Sequence, residues 1–428
     1  MDAPRKYLIV VGGPTASGKT SLAITLAGHF DTEILSADSR QFYREMRIGN
    51  ARPRAEELAA VPHHFVADRS VTEPLSAGEF ARLATEKLNQ IFKTKDYAVL
   101  VGGSGLFIRA LTEGLDTFPD VPPAIRQRVD EWANERGLPF LQTQLAKLDP
   151  VYSAEVDQQN GSRIRRALEV CLASGQPYSS FRQTAIPPPA FTPIYLQPTW
   201  PREVLYERIN QRVKTMVEEG LEAEVKTLLP QQNLPALRTV GYQEWFPYFD
   251  QKIDQHTVIT DIQQNSRRYA KRQLTWNRRD GYWKAVPRGE LRVALAYVRA
   301  RTQEQLTLAK SQPTRTKILH KKEQVRSLEL RKNNQPIARA ASVTLDNWAL
   351  LYQLKSEQPL THLASALLWH EAVHRSEAAT VYTCLPVAAD SVLAWEPIHS
   401  DELPKALQNY ATENRWWSWL RDSGEQLF

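Results

Sequence analysis

Residues 13–20 read Gly-Pro-Thr-Ala-Ser-Gly-Lys-Thr, the G-x-x-x-x-G-K-[ST] pattern of a phosphate-binding loop. What flanks the motif restricts the fold more than the motif itself. Lys6–Val11 is a short, β-rich apolar run, which predicts a buried strand ending at Gly12-Gly13. Thr20–His29 predicts the following helix, with Leu22, Ala23, Leu26 and Ala27 along one stripe. Strand, glycine loop and helix together let backbone amides curl round phosphate oxygens. Lys19 then supplies positive charge, and the Thr20 hydroxyl can hold Mg²⁺. The chemistry of this chain therefore starts from a bound diphosphate or polyphosphate.

Further strands and helices follow in alternation. Glu33–Ser36 reads as a second strand, Phe80–Phe92 as an amphipathic helix, and Tyr97–Val101 as a third buried strand ending in Gly102-Gly103. The fold class is α/β, a P-loop NTPase-like parallel sheet. From Pro119 to about Ala185 the pattern turns helical and polar, and Pro187-Pro188-Pro189 marks a boundary. Thr192–Leu196 resumes the sheet, Pro201–Leu229 reads as one long helical stretch, and Ile262–Arg279 as another helix. With 428 residues, two or three domains are expected. These are a catalytic core (1–118 and 190–300), a helical insertion (119–189), a basic linker (301–324, including Gln312–Lys322) and a small α+β domain (325–428). The last contains the strand-like pieces VRSLELR, ARAASVTL and ATVYTCL and a helix near Leu360–Ser376.

Composition is ordinary for a globular protein, at 42% hydrophobic and 24% charged residues. No apolar run reaches membrane-spanning length, and no signal-peptide core is visible, so no membrane association and a cytoplasmic location are expected. Two cysteines, Cys171 and Cys384, supply neither a disulfide framework nor a four-cysteine zinc site. The net charge of +6 is mild, but its distribution is uneven. Arg267, Arg268, Lys271, Arg272, Arg278 and Arg279 fall within thirteen residues, interleaved with Tyr269 and Trp276. That pattern suits a nucleic-acid backbone and its bases, and it also suits a plain solvated helix face.

A nucleotide kinase or ATPase is the default reading of a P-loop, and it calls for an acid at a later strand end to hold the metal. Tyr97–Val101 ends instead in Gly102-Gly103-Ser104-Gly105. The acid close to the loop in sequence is Asp38, just after the second strand, where it can serve as a base or as a turn residue.

The ordered blocks of the first 300 or so residues resemble the tRNA dimethylallyltransferases (tRNA isopentenyltransferases). The matching segments are GPTASGKT, SADSRQFYREMRIGNARP at Ser36–Pro53, LVGGSGLFIRALTEGL at Leu100–Leu115 and SRIRRALEV at Ser162–Val170. RINQRVKTMVEEGLEAEV at Arg208–Val225, TVGYQE at Thr239–Glu244 and AKRQLTWNRR at Ala270–Arg279 complete the set. The resemblance implies transfer of a dimethylallyl group from dimethylallyl diphosphate to the exocyclic amine of the adenosine beside the anticodon of UNN-reading tRNAs, with diphosphate as leaving group. It gives Asp38 the role of base, makes Asp38, Lys19 and Thr15 the catalytic set, and assigns the diphosphate to Gly13, Pro14, Thr15, Ala16, Ser17, Gly18, Lys19 and Thr20, with Mg²⁺ on Thr20. The adenine must leave its stack to react.

For tRNA contact the resemblance implies four stretches: Asp38, Ser39, Arg40 and Gln41; Ser162, Arg163, Ile164, Arg165 and Arg166; Arg238, Thr239, Val240, Gly241, Tyr242 and Gln243; and Lys271, Arg272, Gln273, Leu274, Thr275, Trp276, Asn277 and Arg278, together with Ser104 and Arg126. The expected partners are tRNA and dimethylallyl diphosphate, acting on a monomer. The chain departs from the family pattern at Asn50 and Ser104, each usually Thr, at Phe107, usually Tyr, and at Arg40-Gln41 after Asp-Ser. A small-metabolite kinase and a non-catalytic RNA-binding protein are the rival readings.

The tail lies outside the resemblance. His370-Glu371-Ala-Val-His374 matches the H-E-x-x-H pattern, in which His370 and His374 would hold Zn²⁺ on one helix face. Leu360, Leu363, Leu367 and His374 also form a core-like stripe, and no third ligand is evident. Arg415–Leu420 (RWWSWL) reads as core or interface.

Overall fold

The computed structural model describes residues 5–182, 188–280 and 282–303, followed by the strands of a second sheet between residues 306 and 420, whose side chains are described only at 328–332 and 335–340. The chain divides into two compact units. One comprises Met1–Pro74, Leu88–Gly105 and Phe191–Phe428; the other comprises Leu75–Lys87 and Leu106–Ala190. No helix among the described residues is long and apolar enough to cross a membrane.

The elements run β1 (Tyr7–Gly12), α1 (Lys19–His29), β2 (Ile34–Ser36), α2 (Ala55–Ala60), β3 (His63–His64), α3 (Ala77–Ile91), β4 (Tyr97–Gly102) and α4 (Gly105–Thr112). After α5 (Pro123–Leu148), α6 (Pro150–Glu155) and α7 (Gly161–Ser174) come β5 (Thr192–Thr199), α8 (Arg202–Glu218), α9 (Leu221–Leu228), α10 (Phe246–Phe249), α11 (Gln255–Asp280), β6 (Lys284–Pro287) and α12 (Leu291–Thr302). The six strands form one parallel sheet in the order β3-β2-β4-β1-β5-β6. Every residue of β1 is buried, as a central parallel strand covered on both faces requires. Tyr7, Ile9 and Val11 join Leu22, Ala23, Leu26 and Ala27 of α1 and Val293, Ala294 and Val298 of α12 in one core. The stripe expected on α1 is thus the stripe that packs. Gly12 of β1 sits opposite Gly102 of β4, and Ser36 of β2 opposite Val101. The loops after β1, β2 and β4 therefore emerge at one edge, where parallel sheets place ligands.

Pro201–Leu229 is two helices rather than one stretch. Gly220 adopts φ 99°, a left-handed conformation that ends α8 and starts α9 at a new angle. The helical unit packs Val129, Leu141 and Leu145 of α5 against Tyr152, Ile164, Ala167 and Leu168. Its α5 is broken at Gly137, which takes φ 72° two residues before Pro139.

The C-terminal sheet has seven strands: β7 (Leu306–Lys310), β8 (Gln324–Lys332), β9 (Gln335–Leu345), β10 (Trp348–Ser356), β11 (Thr380–Thr383), β12 (Glu396–Ile398) and β13 (Trp416–Leu420). Their order is β12-β13-β11-β10-β9-β8-β7, antiparallel except between β10 and β11. Glu329 of β8 is buried and paired with Arg331 and with Arg339 of β9. The expected helix near Leu360–Ser376, the linker Gln312–Lys322 and the His370/His374 pair lie outside the described residues.

Candidate active site

The phosphate-binding loop is held from the protein side by hydrogen bonds to its carbonyls and to the Thr15 amide. Gly13, Ala16 and Gly18 all take positive φ (139°, 62° and 88°). The carbonyls find donors on the protein side. Trp200 Nε1 donates to Ser17 O at 2.9 Å, and Arg208 Nε donates to Ala16 O at 2.9 Å. The Arg208 guanidinium in turn lies 4.3 Å above the Trp200 ring. The buried Ser17 hydroxyl donates to Pro14 O at 2.9 Å. Lys19 folds back and donates to the same carbonyl at 2.6 Å. Thr20 stands in the first turn of α1 and borders the cleft over the loop.

Lys19, Arg212 and Asp38 all border this cleft and act on one another's charge. Burial first, and then the Arg212 guanidinium, lower the Lys19 ammonium to about 8, against the opposing pull of Asp38. Arg212, from α8, is likewise pushed below its ordinary value, chiefly by burial, while Asp38 favours its charge. With Arg208 and Glu57 also acting on Arg212, three cations face two carboxylates here, a site short of negative charge that a diphosphate would complement.

Asp38 follows β2 directly and is held by the end of β4. Ala37 N–H donates to Val101 O at 2.7 Å, and Ser39 N–H donates to Ser104 Oγ at 3.0 Å. Asp38 Oδ1 accepts from Arg40 N–H at 3.1 Å, so the residue is both a turn-former and a cleft residue. The approach of β2 and β4 leaves no room for a side chain at Gly102, where a Cβ would lie 2.3 Å from Ala37 O. Gly102→Ala is expected to cost about 1–3 kcal/mol of stability by forcing the strands apart, measured by denaturant unfolding. Gly78→Ala, with nothing within 4 Å, should be near neutral; equal behaviour of the two would refute the close approach.

The remaining residues singled out in the sequence fall into separate groups. Thr239, Val240 and Gly241 border the cleft, as do Asp38, Ser39, Arg40 and Gln41. Tyr242 is fully buried beneath them, while Arg238 and Gln243 are exposed. On α11, Arg268, Lys271, Arg272, Thr275 and Arg278 share one exposed face. Arg267 turns inward to Asn210 at 2.6 Å. Gln273 and Asn277 are buried, Leu274 packs on the α8–α11 core, and the Trp276 indole packs against Gly105. Gln273 accepts from Thr15 N–H and donates to Gly103 O, both at 3.0 Å, so its side chain braces the phosphate loop. Asn277 donates to Gln197 at 2.9 Å.

In the helical unit, Arg126, Ser162 and Arg163 are exposed. Arg165 pairs with Asp130, Arg166 pairs with Glu169, and Ile164 is core. Phe107, where the family pattern has Tyr, packs against Phe80 with ring centroids 5.3 Å apart and planes tilted by 50°.

Arg212, Trp200 and Arg208 escaped the sequence reading. Arg208 and Arg212 lie inside a quoted block, but nothing local distinguishes an inward-facing Arg from a solvated one on a charged helix. In the sequence Tyr269 shows only as an aromatic within a basic cluster. It borders the cleft, and burial followed by the Asp38 charge pushes its phenol up to about 12, so it stays protonated.

Fold and site define a P-loop α/β protein whose strand-end carboxylate, Asp38, follows β2 rather than β4. The family model described as IPP transferase matches residues 41–280. A tRNA dimethylallyltransferase of Christiangramia forsetii is 50% identical over 274 residues, covering 64% of this chain and 91% of that protein. One of Cytophaga hutchinsonii is 42% identical over 304 residues, covering 71% and 100%. Among solved structures, the tRNA delta(2)-isopentenylpyrophosphate transferase of Staphylococcus epidermidis is 29% identical, covers 70% of this chain and 100% of its own, and superposes with a TM-score of 0.50. A eukaryotic dimethylallyltransferase acting on tRNA shares the fold at 22% identity and a TM-score of 0.59, covering 70% and 78%. The chain belongs to the IPP transferase family.

Proposed function

We infer that this protein is a tRNA prenyltransferase that moves a dimethylallyl group from dimethylallyl diphosphate to the exocyclic amine of the adenosine beside the anticodon. The observation that carries the reading is the convergence of Lys19, Arg212 and Asp38 over a phosphate loop whose neighbouring strand β4 ends without an acid. A phosphoryl-transfer site needs that acid for its metal, whereas a site that only stabilises a departing diphosphate does not.

In the transfer, the adenosine nitrogen bonds to the allylic carbon while the carbon–oxygen bond to diphosphate breaks. The electron pair leaves with the diphosphate, and the proton shed by the amine passes to Asp38. Lys19, Arg212 and the loop amides meet the charge that develops on the leaving group. Thr15 and Ser17 line its path. The donor set suits Mg²⁺, which keeps most of its waters and takes one or two protein oxygens besides phosphate. The Thr20 hydroxyl would hold the ion, which would neutralise part of the diphosphate charge. The exposed face of α11 and Arg126, Ser162 and Arg163 of the helical unit supply tRNA-backbone contacts.

Labelled dimethylallyl diphosphate incubated with unmodified tRNA should transfer label to the RNA, with diphosphate release and no ATP turnover. ATP turnover without labelling would establish a kinase instead. RNA binding with neither reaction would establish a binding module.

A further inference from the structure

We propose that Glu224 is a positioning residue for the acceptor side of this transfer, acting through the segment Arg47–Asn50; the proposal rests on the prenyl-transfer reading above. Glu224 stands in the first turn of α9, remote in sequence from the cleft wall it holds. Its carboxylate accepts from three consecutive backbone N–H groups: Arg47 at 3.1 Å, Ile48 at 2.8 and 3.0 Å, and Gly49 at 3.1 Å. A fourth donor, the Tyr242 hydroxyl, reaches it at 2.7 Å. The loop is irregular there, and the carboxylate does for these amides what a neighbouring strand would do elsewhere.

The grip extends to the reacting residues in short steps. Gly49 lies so close to the buried Tyr242 ring that a Cβ would sit 2.4 Å from it. The next residue, Asn50, donates through Nδ2 to Arg40 O at 2.9 Å and also to Met46 O. Arg40 N–H donates to Asp38 Oδ1. Gln41 Nε2 donates to Ala51 O at 3.3 Å on the same segment. Glu224 thus ties together the two walls that border the cleft beside Asp38, namely Arg47–Arg52 and Thr239–Gly241. The phosphate loop is fixed separately by Trp200, Arg208 and Gln273. Loss of the Glu224 grip should therefore misplace the acceptor and leave the donor seated.

A carboxylate is required because all four partners donate. The Glu224→Gln amide has one acceptor oxygen, and its NH₂ opposes at least one of them. Glu224→Gln is expected to lower kcat/KM for tRNA by about 10- to 100-fold, with KM for dimethylallyl diphosphate within about twofold. Hydrogen exchange at the Arg47–Gly49 amides should quicken in the same variant, a readout independent of activity. Glu224→Asp, one methylene short but still charged, should recover part of the loss. Glu222→Gln removes a carboxylate from the same turn, where its partners are Tyr248 and Gln255, and should leave both constants unchanged.

Equal damage to the donor and acceptor constants, the same damage from Glu222→Gln, or unchanged exchange at Arg47–Gly49 would each overturn the proposal. Should Glu224→Gln not fold, Tyr242→Phe removes one donor of the four. It should shift the acceptor constant the same way by about 3- to 10-fold, and no acceptor-specific shift would count against the clamp. If the wild-type protein transfers no label, the prenyl-transfer reading fails, while the exchange experiment still decides whether the clamp exists.

Discussion

Asp38→Asn is expected to slow dimethylallyl transfer by about 100- to 10,000-fold while tRNA affinity stays within about twofold. Asn is the informative replacement because its Oδ1 can still accept from Arg40 N–H, as Asp38 does at 3.1 Å. The turn after β2 survives, and only the charge and basicity are lost. An adenine amine is conjugated with its ring and acquires positive charge as it attacks, so a carboxylate within reach lowers that barrier. Single-turnover labelling would give the rate and filter binding the affinity. Equal losses in both would mean that Asp38 shapes the RNA site rather than accepting the proton.

Lys19→Ala is expected to reduce kcat/KM for the prenyl donor by about 100-fold or more, because a charge-assisted contact to the leaving group is lost. The Lys19 ammonium sits at about 8, lowered mainly by burial and then by Arg212. Without donor or metal, the folded protein releases this proton well below the ordinary lysine value of 10.5. Between those values the unfolded chain carries more protons at Lys19 than the folded one, so the Lys19 contribution to stability should rise with pH from about 8 to 10.5. The Lys19 contribution to that slope should vanish in Lys19→Ala. The donor shows the opposite trend, since it binds the protonated form and its affinity should fall as pH rises through about 8. Denaturant unfolding in metal-free buffer and equilibrium donor binding across this range test the two signs. A flat donor-affinity profile would contradict the perturbed lysine.

The parts of this protein that were legible in the sequence are those written in neighbouring residues. β1, the loop and α1 are a contiguous pattern, and the stripe of Leu22, Ala23, Leu26 and Ala27 is the face that packs. Asp38 was visible because a strand end is a local feature. Arg212 was not, because its inward direction depends on where α8 crosses the loop. Tyr242 and Gln273 were expected to touch RNA and instead lie buried, one under Gly49 and one against Thr15. A motif identifies residues that matter without separating a surface contact from a brace. Gly220 carried a helix-ending signal within Glu-Glu-Gly-Leu, but the charged and apolar periodicity on either side masked it.

The brace through Gln273 has a thermodynamic consequence. α11 presents its basic face to solvent and, from the same rigid rod, accepts the Thr15 amide and donates to Gly103. Any ligand that shifts or stiffens this helix also shifts or stiffens the loop that seats the diphosphate. For a tRNA prenyltransferase, any factor by which RNA on this face alters donor affinity would by reciprocity equal the factor by which donor alters RNA affinity. Gln273 is the link through which a ligand on the basic face of α11 would be coupled to one in the phosphate loop.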